Sequence, residues 1–567
     1  MSNEVLIPEG NCCCPAHIRN GYLSEESFAK IQTTDLTYMN RSDILDLLTR
    51  VRQYALNSDA KRIDFDGKTL RDEDYINLTG LHCSEFDSLC EHIQDSVRNT
   101  PARTMRMSLG IFLMKLKSGL PNKVLSTVFN ITKSSIRRAI SSVTKALYTH
   151  FVPEYLGLQH ISRKDVNKDH TRPLAQSLLG NNTGNQPILV LDGTYIYIQK
   201  SNNFSFQRRS YSMHKGRPLV KLMVVVTTDG YFLTICGRYF ADAKNNDASI
   251  LKHMLKSNIE DIKAWVEKDD VFVVDRGFRD SIEALEELGI QAEMPHFMKK
   301  GEKQMTTEDA NDSRLVTKIR WVVESANARI KQWRYLDNVL PTNQIPHIGE
   351  YVCIVCAISN KFSPPLSTGN SLEDEQLACK MVYLSKQINE LKQYVEINKL
   401  EWRTAKWTNA DEIALEEFPV LDEDQLKFIT CGTYQLKLSS SYMQEHLDGD
   451  CEIRVHKDED RLLRVRLRSR HVSSRSYPMW IRYTESNIVA GYCKCPAGSR
   501  VVGACSHLAT IMLFRGFARH QNLSSYGVRN WGANVCDAAA VVEPIDASDS
   551  DNDDEDDATT DVTENVQ

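Results

Sequence analysis

Two carboxylates in this sequence stand at the ends of apolar runs that read as buried strands. Asp192 follows residues 188–191 in PILVLDGTYIYIQ, and Asp275 closes the run in VFVVDRGF. A third, Glu324, lies in RLVTKIRWVVESANARIKQW, whose periodicity is helical. At about 100° per residue, Arg320, Glu324, Asn327 and Lys331 fall within an arc of roughly 60°. Ile319, Val322, Val323, Ala326, Ile330 and Trp333 gather on the opposite side, so one face is core and the other carries a single carboxylate among cationic and amide groups. Taken alone, this helix reads as a surface helix with an ordinary Arg320–Glu324 pair at i,i+4. The two strand-end acids shift that balance, because three carboxylates are a hard oxygen set suited to Mg²⁺ or Mn²⁺. Two such ions about 3.5–4 Å apart can activate a water or a 3′-hydroxyl and stabilise the leaving oxygen of a phosphodiester. Asp192 would bridge both ions, Asp275 and Glu324 would each hold one, and Arg320 and Lys331 would contact phosphate.

A second donor set has different chemistry. Cys493-Lys494-Cys495 and Cys505-Ser506-His507 form CxC and CxH with nine residues between them. Four soft ligands in two tight pairs are what tetrahedral structural Zn²⁺ prefers; the competing reading is cysteines that merely pack. Elsewhere zinc is disfavoured. Cys12, Cys13 and Cys14 with His17 cannot easily all face one ion and read as a floppy cysteine-rich terminus, and Cys83, Cys90 and His92 in LHCSEFDSLCEHI fit an amphipathic helix that uses cysteines as small apolar residues. Upstream of the CxC, Arg464, Arg466, Arg468 and Arg470 alternate with Val465, Leu467 and Ser469, which puts four arginines on one strand face. Phosphate contact and a solvated edge strand both fit that face.

The elements that must position these groups are legible in outline. In SLGIFLMKLKSGLPNKVLSTVFNITKSSIRRAISSVTKAL an apolar helix ends near Gly119, Pro121 opens a second, and Asn130-Ile131-Thr132 turns into a basic third. This order fits a helix-turn-helix that would set Lys133, Arg137, Arg138 and Lys145 against DNA, the alternative being a helical bundle with a solvated basic face. Residues 161–185 are polar and Gly/Asn-rich and read as a linker; LVKLMVVVTT and YFLTICGRYF, joined at Asp229-Gly230, are strands, and DASILKHMLK is a helix. A second linker is expected at 363–369, followed by a polar helix through 380–400.

Composition bounds the rest. At 567 residues with 41% apolar and 25% charged side chains, the chain predicts several globular domains. No apolar run approaches the roughly 18 residues of a membrane span, and the N-terminus lacks a secretory pattern, so no membrane partner is expected. Fifteen cysteines then read as thiols or metal ligands in a reducing compartment. The net charge is −6, but residues 543–567 hold eleven acidic groups and no Lys or Arg; without them the remainder carries +5. Such a tail cannot bury enough apolar surface to fold.

Several motifs occur together and in order: LTGLHCSEFDSLC, the helix-turn-helix, LDGTYIYIQ, NNDASI, VVDRGF, MPHFMKKGEKQM and RWVVESANARIKQW. From about residue 78 to 361 the chain resembles eukaryotic DDE transposases of the Harbinger and related superfamilies. The resemblance implies an RNase H-like mixed sheet with Asp192, Asp275 and Glu324 as catalytic, metal-binding triad. Asp247 in NNDASI matches a recurrent acid ranked here as auxiliary residue or helix cap. The CxC/CxH region resembles a SWIM zinc finger. The resulting expectation is an α+β multidomain protein: 1–102 helical, 103–150 helix-turn-helix, 151–185 linker, 186–362 catalytic, 363–420 linker and helix, 421–530 zinc module, and 540–567 acidic tail. Its function would be cleaving and joining double-stranded DNA at transposon ends and target in the nucleus, as a homo-oligomer on DNA. The alternative is a domesticated regulator that binds DNA without cutting it.

Overall fold

The computed structural model describes residues 41–521, except 60–62, 68, 101–102, 182–183, 185, 368–370, 403–406, 411–415, 448–451 and 470–474, together with 18–19, 22–23 and 534–535. Cys12 to Cys14, His17, Arg470 and the acidic tail lie outside the described residues. The chain divides into two compact units, residues 1–297 with 313–379, and residues 298–312 with 380–567. Among the described residues no helix is long and apolar enough to cross a membrane.

The principal elements of the first unit begin with helices α1 (Arg41–Asp59), α2 (Asp72–Thr79), α3 (Cys83–Ile93), α4 (Met105–Ser118), α5 (Asn122–Val128) and α6 (Lys133–Ala146). Strands β1 (Ile188–Tyr197), β2 (Arg217–Thr227) and β3 (Phe232–Tyr239) follow, then α7 (Asp247–Lys256), β4 (Val271–Val273) and β5 (Gln291–Glu293). Helix α8 (Thr307–Lys331, from residue 313 on) and the apolar α9 (Ile345–Phe362) complete the set. The sheet order is β3-β2-β1-β4-β5. β1, β2 and β3 pair antiparallel, whereas β4 runs parallel to β1 and β5 parallel to β4.

Alternation along these strands divides the interior into two cores. Ile188, Val190, Leu222, Val224, Val271 and Val273 face one core, which α8 covers with Ile319, Val322, Val323, Ala326 and Ile330. Leu189, Leu191, Met223, Val225, Phe272 and Val274 face the other, covered by Ile250, Leu251, Met254 and Leu255 of α7. A sheet buried on both faces explains why its strands read as continuous apolar runs.

In the helical part, Gly119 ends α4 in a left-handed conformation, Pro121 caps α5, and Asn130 takes φ 50° in the turn before Thr132 caps α6. Ile136, Ala139, Ile140 and Val143 bury one face of α6 and leave Lys133, Arg137, Arg138 and Lys145 exposed. Cys90 packs with Phe86, Leu89 and Ile93 along α3, as an apolar residue would. Residues 161–185 are more ordered than their composition implies. Val166, Leu174 and Leu179 are buried, the last two on a helix Pro173–Leu179, and Arg172 pairs with the buried carboxylate of Asp374. Sparse apolar anchors among polar residues give no period to read.

The second unit holds α10 (Ser371–Ser385, from residue 380 on), α11 (Glu390–Ile397), β6 (Trp407–Asn409), α12 (Glu423–Thr430), α13 (Tyr434–Leu447), β7 (Glu452–His456), β8 (Leu462–Arg468), β9 (Ser476–Tyr483), β10 (Ile488–Cys493) and α14 (Ser506–Gly516). The expected single helix through 380–400 is broken, because Asn389 caps α11 and its amide donates to the carbonyls of Gly491 and Ser499. β6 to β10 form one antiparallel sheet in the order β10-β9-β8-β7-β6. On β8, Leu463, Val465 and Leu467 enter the core beside α14, and Arg464, Arg466 and Arg468 take the other face.

One close approach in the helical part is unforgiving. A Cβ on Gly110 of α4 would lie 2.2 Å from the ring of Phe65, itself stacked on Phe86 at 5.3 Å. Gly110→Val is expected to destabilise the first unit by about 1–3 kcal/mol, measured as a lowered melting temperature.

Candidate active site and metal centre

The β1–β4 register pairs Ile188 with Val271, Leu189 with Phe272 and Val190 with Val273. Carried two residues further, the same register brings Asp192 level with Asp275. Asp275 begins a turn of 3₁₀ helix and accepts a hydrogen bond from the Gly277 amide at 2.7 Å. From α8, Asn327 Nδ2 donates to Asp192 Oδ2 at 2.8 Å, and Arg320 pairs with Glu324.

Asp247 joins these groups from the opposite face of the sheet. Asp192 shares the α8 side of β1 with Val190, so Gly193 faces α7. A Cβ on Gly193 would lie 2.6 Å from Asp247 Oδ1, and one on Gly277 would meet Asp275 Oδ1 at 2.9 Å and Asp247 Oδ2 at 3.5 Å. Two glycines therefore make the room through which Asp247 reaches the other acids. The cap of α7 is Asn246, whose side chain accepts from the Ser249 amide at 2.8 Å. Asp247, expected as auxiliary acid or cap, is thus not the cap but a member of the cluster, with Lys221 at 3.3 Å from its Oδ1. The available sequence signal was the glycine after Asp192, at a strand position where a side chain would normally pack.

Burial pushes the Asp192 carboxyl up to about 7; Arg320 opposes this, and Asp275, Asp247 and Glu324 reinforce it. A carboxylate buried beside other acids is disfavoured as the anion. Lys331 is engaged elsewhere. Its Nζ donates to the Tyr195 carbonyl at 2.7 Å and lies 5.0 and 5.5 Å from the Tyr195 and Tyr197 ring centres, and burial lowers its pKa.

In the second unit, Cys493, Cys495, Cys505 and His507 are all buried, with ligand atoms within 4.8 Å of one another, and could hold a metal ion. No other such group occurs among the described residues. Cys493 ends β10, the Cys495 amide donates to its sulfur at 3.4 Å, and a Cβ on Gly498 would strike the Cys493 carbonyl oxygen at 2.1 Å. Cys505 caps α14, accepting from the Leu508 amide at 3.5 Å. Burial raises the Cys505 thiol, but hydrogen bonds from Cys493, Cys495 and His507 outweigh it and hold Cys505 well below the usual thiol range. His507 Nδ1 stands 3.9 Å from Cys493 Sγ, while its buried Nε2 has no hydrogen-bond partner. Three thiols crowded against one imidazole suit a thiophilic cation. The sequence did not point to Gln304, whose Nε2 donates to the carbonyls of Cys493 at 2.7 Å and Cys495 at 2.8 Å and whose Oε1 accepts from Tyr492 at 3.0 Å.

Residues 191–360 match the family model of the DDE superfamily endonuclease. The segment carrying the four carboxylates is therefore related to DDE superfamily nucleases. Solved structures that align with the chain include the Mos1 strand transfer complex, at 13% identity over 57% of this chain and 88% of that one, with a TM-score of 0.13. Another is the Mos1 transposase paired-end complex with left transposon end, at 12% identity over 58% and 90%, also with a TM-score of 0.13. No curated protein matches the chain.

The raised Asp192 carboxyl makes a signed prediction. Its folded pKa, about 7, exceeds the ordinary 3.8, so its contribution favours the folded state at low pH and is lost as the pH rises through about 7. With chelator present, the melting-temperature gain of Asp192→Asn over wild type should be small near pH 4 and grow towards about pH 8. Added Mg²⁺ or Mn²⁺ should narrow the gap. A gain independent of pH would show that Asp192 does not titrate in this way.

Proposed function

We propose that the chain is a metal-dependent DNA endonuclease and transposase of the DDE kind, cutting and joining phosphodiester bonds at transposon ends. The observation that carries this reading is the convergence of Asp192, Asp275, Glu324 and Asp247 within the segment related to DDE superfamily endonucleases. The strand order and the parallel β1–β4 pair support an RNase H-like assignment of this region. The motif resemblance to Harbinger elements supports a place near that group, and the CxC/CxH pair supports a SWIM-type zinc module.

In this reading Asp192, Asp275 and Glu324 would hold the Mg²⁺ or Mn²⁺ ions. When bound, the ions lower the pKa of the attacking hydroxyl and neutralise charge on the leaving oxygen. Asn327 fixes the Asp192 carboxylate through the hydrogen bond to Oδ2. Arg320, which pairs with Glu324, would contact phosphate. Lys331, tied to the Tyr195 carbonyl, serves as a positioning residue for the end of β1. Helices α5 and α6 form a helix-turn-helix that sets Lys133, Arg137 and Arg138 on double-stranded DNA, within a homo-oligomer acting in the nucleus. Zn²⁺ would be held by Cys493, Cys495, Cys505 and His507.

Ala at Asp192, Asp275 or Glu324 is expected to lower Mn²⁺-dependent cleavage of duplexes bearing the element's ends by about a thousandfold or more, with non-additive effects in combination. Duplex binding, measured alongside, should change little. Full cleavage by Asp192→Ala would refute the mechanism, and a wild-type protein that binds but never cuts would be the DNA-binding regulator instead.

For the zinc module, His507→Ala should remove about one Zn²⁺ per chain and unfold the surrounding residues. Gln304→Ala, which frees two ligand-loop carbonyls, should weaken Zn²⁺ affinity by about 10–100-fold. Elemental analysis of native protein and chelator competition read both, and native protein without zinc would exclude the assignment.

A further inference from the structure

Lys115 is an anomaly in the helical part of the first unit. It sits in the middle of apolar α4 and is only 6% exposed. Its Nζ donates to Asn122 Oδ1 at 2.9 Å and lies 4.4 Å from the centre of the Tyr335 ring. No carboxylate among the described residues pairs with it. An ammonium buried without a counter-charge costs folding free energy, so such a group calls for an anion.

The space beside it is of a size to admit one. Lys115 lines two adjoining hollows of about 550 and 370 Å³, which also share Asn122, Arg137 and Gln344. Arg137 and Lys145 reach the larger hollow from α6, and among the described residues neither has an ion-pair partner. The one carboxylate on its wall, Glu350, is hydrogen-bonded by His347 at 3.0 Å. Burial also lowers Lys115 to about 8.

We infer that these hollows form a phosphate-binding site, with Lys115 at the floor and Arg137 and Lys145 at the rim. The site rests on the DNA-handling reading only for the source of the phosphate, which is either a DNA backbone phosphodiester or a free phosphate group. In the first case α6 does more than lie on DNA, because the phosphate its arginine meets is also seated on a buried lysine of α4.

The test uses the full chain in the presence of chelator, so that metal-bridged phosphate is excluded. Inorganic phosphate is titrated by calorimetry into wild type, Lys115→Met and Arg137→Gln. Wild type should bind and each variant should bind at least about tenfold more weakly. Lys115→Met should melt at or above the wild-type temperature without phosphate and lose the phosphate-dependent rise. If that variant fails to fold, the exposed Arg137→Gln decides alone. A wild type that does not bind phosphate, or variants that bind as wild type does, overturn the site. Displacement of bound phosphate by a duplex oligonucleotide identifies the DNA backbone as its source, and lack of displacement identifies a free phosphate ligand. Loss of cleavage in the Asp192 variants tests the nuclease reading and leaves phosphate binding untouched, so the two failures are distinguishable.

Discussion

Burial of a carboxylate at one end of a parallel strand pair is the constraint around which the first unit is organised. Asp192 carries it, its carboxyl displaced to about 7 by burial and, to a lesser degree, by Asp275, Asp247 and Glu324. A cluster of that kind cannot be held by its own attractions. It is held by what lies behind it, the fully buried residues of β1 and β4 and the two cores that the sheet separates. Rigid strands fix Asp192 and Asp275, and α8 presses its apolar face on one core while its other face supplies Asn327, Arg320 and Glu324. The apolar packing thus offsets the electrostatic cost of burying Asp192 and fixes its position.

The second unit meets a related demand with softer chemistry. Three thiols and an imidazole are buried together, and the surrounding backbone restrains each ligand: a β-strand end for Cys493, a helix N-terminus for Cys505, and the amide of Gln304 across the carbonyls on either side. The helix N-terminus also favours negative charge on the Cys505 sulfur. Gln304 comes from residues 298–312, distant in sequence from the cysteines but part of the same unit.

Much of this was legible in the sequence because period and chemistry coincided. The apolar face of α8, the turn at Asn130, the strand order around Asp192 and the two Cys/His pairs all left local patterns. What was not legible depended on long-range contact. Residues 161–185 looked like a linker because a few buried apolar side chains scattered among polar ones make no period. The break at Asn389 was hidden because its reason is a pair of carbonyls about a hundred positions away. Gln304 gave no signal, since one glutamine in a polar segment resembles any other. Asp247 was visible as an acid, but its place in the cluster depends on which face of β1 lacks a side chain.

That last point has a structural consequence. Strand β1 alternates between two cores, so the residue after Asp192 must face α7, and any side chain there would stand where Asp247 stands. Glycine at 193 weakens a strand in isolation, since it adds backbone freedom and no packing surface. The weakness is tolerable because pairing on both sides, with β2 and β4, holds β1 regardless. Gly277 has the same role on the Asp275 side, where a side chain would press on Asp275 and Asp247 together. The acids are therefore close for two separate reasons. Strand register brings Asp192 and Asp275 together, and two missing side chains admit Asp247 between the layers. Lys221, paired with Asp247, balances one of the charges from the neighbouring strand without filling that space.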